Sequence, residues 1–278
     1  MNHGIRDDEH AIDQWLNSKR AGLTRETYNT AIGEFRRAVP VPLADVSIAD
    51  VQTWIGSHSH QSAATIQRKL ATVRSLFSYL MRVGYLKENP ASVVTTDKPK
   101  DTLAERILSE DQVQALVTAM EGNLRDYTLI RLLYLSGGRV SEIAGLSWRD
   151  VRASGEGAQI TLFGKGQKTR LISVPVSMRE DLEALRGKAG ASDPVFVEKE
   201  KRMTRQQVYD VVKDAGKLAG IPAVSPHWFR HSSASHALAN GLGLVNVSKA
   251  LGHTTLAVTQ RYLHVGLDNS LAGYLKIG

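Results

Sequence analysis

The chain has 278 residues, enough for one large domain or two of ordinary size, and 42% of them are hydrophobic, so a wholly disordered chain is excluded. It contains no cysteine, which removes disulfides, zinc ribbons, thiolate nucleophiles and iron–sulfur clusters. Lysine and arginine outnumber aspartate and glutamate 35 to 28, a formal charge of +7 that suits a polyanionic partner without requiring one.

The first 92 residues read as helix throughout. Residues 1–20 carry Asp7, Asp8, Glu9 and Asp13 and no apolar stretch, so a secretory signal is not expected. No apolar run reaches the roughly 18 residues of a membrane span, and a cytoplasmic protein is expected. A helix from Asp8 to Lys19 carries Ile12, Trp15 and Leu16. Thr24 can cap a second, with Tyr28, Ile32 and Phe35 on one face. Ser47 and Asp50 make a capping-box pattern ahead of Val51, Trp54 and Ile55. Ser62 opens the longest helix, with Ile66, Leu70, Val73, Phe77 and Leu80 at spacings of three and four, and Gly84 with Asn89-Pro90 ends it. Arg68, Lys69, Arg74 and Arg82 lie on or beside its polar face, where a merely solvated surface is the ordinary reading.

Residues 93–106 are polar, are punctuated by Lys98-Pro99-Lys100, and read as an interdomain linker. The expected organisation is therefore a helical domain over 1–92, a linker over 93–106 and a second domain over 107–278. Both sides of the linker are net positive, so neither is an acidic partner for the other. Ser109 with Gln112 signals the next helix start, with Val113, Leu116, Val117 and Met120 as its buried stripe. Ile130, Leu133 and Tyr134 mark another helix. Two β runs, Gln159 to Phe163 and Arg170 to Val174, flank Gly164-Lys165-Gly166-Gln167-Lys168, a hairpin with a basic tip. Pro194 to Val197 is expected to be one more short strand, and the chain returns to helix from about Thr204. The fold class is mainly α with a small β-sheet.

Common chemistries are excluded by spacing. Gly166-Gln167-Lys168-Thr169 puts a residue between glycine and lysine, so it is no phosphate-binding P-loop. His227 and His231 stand four apart as zinc ligands do, but Trp228 follows His227 where a zincin needs glutamate. Lys199 interrupts the carboxylates Asp193, Glu198 and Glu200. No metal and no cofactor is expected. What remains is a scattered set, Arg139, Lys165, His227, Arg230, His253 and Tyr262. Taken singly, each has an ordinary explanation as a surface charge, a core histidine or an amphipathic tyrosine.

Together they are more specific. The stretches S-G-G-R-V-S-E (Ser136 to Glu142), F-G-K-G-Q-K-T-R (Phe163 to Arg170), H-W-F-R-H (His227 to His231), L-G-H-T-T (Leu251 to Thr255) and T-Q-R-Y-L-H (Thr259 to His264) occur in that order. His227, Arg230, His253 and Tyr262 are separated by 3, 23 and 9 positions. This pattern resembles the tyrosine recombinase family, the phage-type and Xer-like integrases, over nearly the whole chain. The resemblance implies an N-terminal helical core-binding (SAM-like) domain and a C-terminal α+β catalytic domain, closing as a clamp around duplex DNA. It implies Arg139 and Arg230 as the catalytic arginines, Lys165 as the hairpin lysine, His227 and His253 as the active-site histidines, and Tyr262 as nucleophile. Glu142 matches the acidic residue that orients the first arginine. Gly138 and Phe229 stand where the family often has leucine, both at packing positions.

The residue types suit the implied reaction, a transfer through a 3′-phosphotyrosine without ATP or metal. Two guanidinium groups grip the non-bridging oxygens of a phosphodiester with planar paired donors and keep their charge. A phenol with a reference pKa of about 10 is only about one part in a thousand ionised at neutral pH, so Tyr262 needs a base, for which His227 is the best placed. Lys165 is the expected general acid for the departing 5′ oxygen, with His253 donating to the phosphate. The implied partners are double-stranded DNA with a specific core site and further copies of the chain, a tetramer on two sites, with no membrane. Arg68, Lys69 and Arg74 are the expected DNA contacts of the first domain. The apolar repeat Leu267, Leu271, Tyr274 and Leu275 is expected to dock into a neighbouring protomer. A type IB topoisomerase would form the same adduct and only relax supercoils, and a non-catalytic DNA-binding regulator could keep the fold; the intact catalytic set speaks against the second.

Overall fold

The computed structural model describes residues 5–19, 23–164 and 169–263. The chain divides into two compact units, Met1–Asp101 and Thr102–Gly278. The division falls inside the stretch expected as a linker, whose apolar ends pack onto the units they adjoin. Val94 is buried in the first and Leu103 in the second.

The first unit is four helices, α1 (Asp8–Asn17), α2 (Leu23–Ala38), α3 (Ile48–Gly56) and α4 (Ala63–Arg82). Their starts are written in side chains. Asp7 accepts the His10 N–H, Ser62 accepts that of Thr65, and Ser47 and Asp50 form the reciprocal box. Thr24 falls in the first turn of α2, and its side chain lies outside the described residues. Trp15, Ile32, Phe35, Trp54, Val73, Phe77 and Leu80 make the core, with Phe35 edge-on to both Trp54 and Phe77. Each such fully buried side chain contributes about 1.5–3 kcal/mol against conformational entropy. Asp8 accepts from the Tyr85 hydroxyl at 2.8 Å and the Leu43 N–H at 2.7 Å, which pins the segment before α3 and the segment after α4 to α1.

The second unit opens with α5 (Glu110–Thr118), whose Ser109–Gln112 capping box is present, and α6 (Leu124–Ser136). Then come α7 (Val140–Ala144), β1 (Val151–Ser154), β2 (Gly157–Phe163), β3 (Thr169–Val174), α8 (Val176–Arg186), β4 (Val197–Glu198), β5 (Lys201–Arg202), α9 (Arg205–Leu218), α10 (Pro226–Ala239), α11 (Leu244–Leu251) and α12 (Leu256–Gln260). The sheet is antiparallel in the order β1-β2-β3, with Ile160 opposite both Val151 and Ile172. Ala158, Ile160 and Leu162 alternate inward against α7 and α8.

The strand expected over Pro194 to Val197 is a correction. Pro194 makes only an isolated bridge to Ser147, and the Val195 N–H donates to the Leu146 carbonyl. Proline has no N–H to give a ladder, so pairing resumes only at Val197, in a two-residue hairpin turning at Lys199 and Glu200. The main cluster, with Leu116, Leu129, Ile160, Phe196, Val212 and Phe229, sits between sheet and helices. A smaller cluster of Leu103, Ala234, Leu238, Val247 and Leu251 surrounds Tyr262.

Candidate active site

Arg139 is placed by a glycine turn. Helix α6 ends at Gly137 in the left-handed region (φ 54), and a Cβ there would lie 2.7 Å from Leu251 Cδ2. A Cβ on Gly138 would lie 2.7 Å from Ile143 Cδ1, so a leucine here would require the Ile143 side chain to shift. Arg139 is then the N-cap of α7. Its backbone N–H and one guanidinium nitrogen donate to the two oxygens of Glu142, at 2.8 and 2.9 Å. The carboxylate is almost wholly buried, whereas the Arg139 side chain keeps 36% exposure.

Arg170, near the start of β3, gives Glu142 a second and stronger clasp, two parallel hydrogen bonds of 2.7 Å. Burial pushes the Glu142 carboxyl up, but the hydrogen bonds and charges of Arg170 and Arg139 prevail and hold it at about 2. The Arg170 Nε is buried with no partner among the described residues, a vacancy that typically costs about 1–3 kcal/mol.

Helix α10 starts with Pro226 at its first turn and carries His227, Arg230 and His231. Phe229, fully buried in the main core, anchors it. Arg230 is buried and donates to the Gly137 carbonyl and the Leu251 carbonyl, both at 2.7 Å. One guanidinium thus joins the segment before Arg139 to the segment before His253. Burial and the nearby Arg139 and Arg170 lower its pKa to about 10, leaving it cationic at neutral pH.

Helix α11 ends at Gly252 in the left-handed region (φ 64), and His253 follows. The His253 Nδ1 lies 2.7 Å from the Thr259 hydroxyl, and its ring stacks beside that of Tyr262 with centroids 6.5 Å apart. Tyr262 is 4% exposed. Its hydroxyl lies 2.8 Å from Nδ1 of His231, the α10 histidine that sequence reasoning left outside the catalytic set. Burial, then His227 and the surrounding arginines, lower His231 to about 4, so the imidazole is neutral near pH 7, and in the tautomer protonated on Nε2 its Nδ1 accepts from the phenol. Burial also raises the phenol above its ordinary value, against the pull of Arg230 and Arg261. His253 is lowered to about 4 by burial and then by Arg230, Arg139 and Arg170, and His227 is lowered by burial and then by Arg230, Arg139 and Arg106.

The described members of the catalytic set named from sequence therefore fall into one region of the second unit: Arg139 with Glu142, Arg230 bridging to the segments of Arg139 and His253, and His253 beside Tyr262. His227 is the more exposed of the paired α10 histidines, its ring 6.2 Å from that of His231. Lys165 lies outside the described residues, as does the apolar tail from Leu267 to Leu275. In the first unit the three expected DNA contacts separate. Arg68 is exposed. Lys69 is half-buried in an ion pair with Glu34. Arg74 donates to the carbonyls of Ala91 and Val94 and serves the fold. Glu198, the carboxylate near Asp193, is paired with Arg125. The sequence reading missed Arg170 and His231. Both stand inside the quoted stretches, and their partners lie 28 and 31 positions away.

This constellation belongs to a catalytic domain that is recognisable at the level of the family. Residues 106–267 match the Phage integrase family, and residues 12–84 match the Phage integrase N-terminal SAM-like domain. The chain belongs to the phage integrase family, the tyrosine recombinases. Tyrosine recombinase XerC of Pelobacter propionicus is 32% identical over 270 residues, covering 91% of this chain and 88% of the relative. The XerC of Thermodesulfovibrio yellowstonii is 36% identical over 231 residues, covering 78% and 76%. The fold is similar to a lambda integrase dimer bound to a COC′ core site, with a TM-score of 0.77, 17% identity and coverage of 98% of this chain and 80% of that one. It is also similar to XerH bound to its difH substrate before cleavage, with a TM-score of 0.74, 18% identity and coverage of 99% and 90%. The mainly helical class, with a SAM-like first domain and an integrase second domain, is the expected one.

Proposed function

We propose that this tyrosine recombinase cuts and rejoins double-stranded DNA at a specific core site through a covalent bond between Tyr262 and a 3′ phosphate. The supporting observation is the convergence of Arg139 and Arg230 on the region of a buried tyrosine, with Glu142 and Arg170 holding the first arginine in place. The phenol oxygen attacks phosphorus, the bond from phosphorus to the 5′ oxygen breaks, and the 5′ strand leaves as a hydroxyl. The phenol proton passes to a histidine of α10. His231 lies within hydrogen-bond distance of the phenol oxygen, and His227, one turn earlier and more exposed, is the residue the family pattern assigns. Lys165 protonates the departing oxygen, and His253 donates to a phosphate oxygen. The arginines stabilise the charge gathered on the non-bridging oxygens, where loss of one preorganised donor typically costs about 3–4 kcal/mol. One phosphodiester is exchanged for another, so the bond energy is retained and neither ATP nor metal enters the balance. The 5′ hydroxyl of a second duplex then attacks the adduct.

Exchange between two duplexes asks for four active sites, and a tetramer is inferred. One structure of similar fold is a lambda integrase tetramer bound to a Holliday junction. Among the described residues no helix is long and apolar enough to cross a membrane, and a cytoplasmic location is inferred from the proposed action on DNA. The test uses core sites selected from host DNA by the purified protein and cloned as pairs in a supercoiled plasmid. Deletion or inversion products that vanish in Tyr262→Phe are expected. Relaxed circles alone would assign a topoisomerase instead, and unchanged plasmid would assign a DNA-binding protein without this activity.

A further inference from the structure

We propose that Arg170 is a positioning residue for strand cleavage, which fixes the Glu142 carboxylate so that Arg139 can turn most of its guanidinium to the scissile phosphate. The inference rests on the recombinase reading above and extends it to a side chain outside the family's catalytic set.

Glu142 receives four hydrogen bonds. The two from Arg170 run in parallel to both oxygens and fix the plane of the carboxylate. Arg139 contributes one guanidinium nitrogen and its backbone N–H. Without Arg170 both carboxylate oxygens would be left to Arg139, and the two fork-shaped partners would close on each other. A substrate phosphate would then compete with Glu142 for the same donors. With Arg170 in place, the carboxylate is already saturated and Arg139, with 36% of its side chain exposed, faces outward.

Three further features make Arg170 more than a buried counter-ion. Its side chain is 9% exposed, yet its Nε has no partner among the described residues, so the guanidinium is oriented for Glu142 at the expense of its own third donor. Its face lies against the turn before His253: a Cβ on Gly252 would sit 3.4 Å from Arg170 Cδ and 3.5 Å from one of its terminal nitrogens. It is also the second residue of β3, one position from the last pair of the hairpin, Phe163 with Thr169, beyond which the tip carrying Lys165 begins. The same side chain therefore ties the base of the lysine hairpin to the arginine turn and to the histidine turn. The charges facing Glu142 are Arg139 from its own turn, Arg170 from β3 and Arg230 from α10.

The experiment measures single-turnover cleavage with the full chain, using nicked duplexes that bear the selected core site and trap the adduct. Affinity for the intact duplex is measured in parallel. Arg170→Gln is expected to slow cleavage by roughly a hundred- to a thousandfold while DNA affinity changes by less than about threefold. Glu142 then titrates in a more ordinary range, so the acid limb of the cleavage profile moves to higher pH. Arg170→Lys keeps the charge, loses the fork, folds more readily, and is expected to recover part of the rate but remain about tenfold slow. Glu142→Gln combined with Arg170→Gln is expected to be no slower than the slower single variant, because the two act as one unit. Wild-type rate and an unmoved acid limb in Arg170→Gln or in Arg170→Lys would overturn the proposal. Parallel losses of affinity, cleavage and melting temperature would reduce Arg170 to a structural ion pair and overturn it equally. Absence of any adduct with the unaltered protein would instead overturn the recombinase reading on which it rests.

Discussion

Replacing Glu142 by glutamine tests the electrostatic architecture independently of DNA. The carboxyl is held at about 2 against an ordinary 4.5, because hydrogen bonds from Arg170 and Arg139 outweigh the opposing effect of burial. A gap of about 2.5 units corresponds to roughly 3 kcal/mol of stability. The folded value lies below the unfolded one, so the unfolded chain binds this proton more readily. The contribution is complete above about pH 4.5 and is lost as the pH falls through about 2. At about pH 3 the same relation leaves roughly 1.4 kcal/mol. Glu142→Gln is therefore expected to destabilise the second unit by about 3 kcal/mol near neutral pH, at the lower end of what breaking a buried ion pair costs. The difference from wild type should shrink by half or more near pH 3. Native-state hydrogen exchange in peptides spanning α6 and β2 reads this unit without the first. An unchanged gap at the two pH values would show that Glu142 does not carry a depressed pKa, and the argument for the Arg139–Glu142–Arg170 arrangement would fail with it.

Other consequences can be checked singly. Gly137→Ala is expected to cost about 1–3 kcal/mol, because the residue has φ 54 and its new Cβ would meet Leu251 at 2.7 Å. Its carbonyl holds Arg230, so cleavage should fall further than DNA affinity. Arg68→Ala should weaken DNA binding and lower the slope of log affinity against log salt by about one. Arg74→Ala should instead lower the stability of the first unit by about 1–3 kcal/mol and leave the slope unchanged, because its guanidinium is spent on the Ala91 and Val94 carbonyls. Nitration of Tyr262 by tetranitromethane in the DNA-free protein should rise in His231→Ala and stay low in His227→Ala. Equal protection in both would show that the hydrogen bond to His231 does not hold the phenol in solution.

The parts of this molecule that were legible in the sequence are those where local chemistry and periodicity agree. Helix α4 has a serine cap, apolar residues at three and four, and a glycine stop, and the capping boxes at Ser47 and Ser109 are reciprocal pairs readable within four residues. The β2–β3 hairpin shows its alternation because only one face is buried. Strand β1 has no such signal. Its four residues are exposed or half-buried, and pairing with β2 alone makes them a strand. Helix α8 starts without a side-chain cap and fully buries only Met178 and Leu182, too few positions to show a period. The motif residues were visible by spacing, but Arg170 and His231 draw their meaning from Glu142 and Tyr262, which only the tertiary fold brings near. For the same reason Arg74 looked like a surface cation: nothing local shows that the chain after α4 folds back over it.

The central claim is that the Tyr262 oxygen becomes bonded to a DNA 3′ phosphate. Nuclease digestion of the trapped complex, followed by peptide mass spectrometry, measures this directly. The account predicts a nucleotide remnant on Tyr262 and a hydroxyl at the released 5′ end. A remnant on any other residue, or a released strand that ends in a 5′ phosphate, would contradict it.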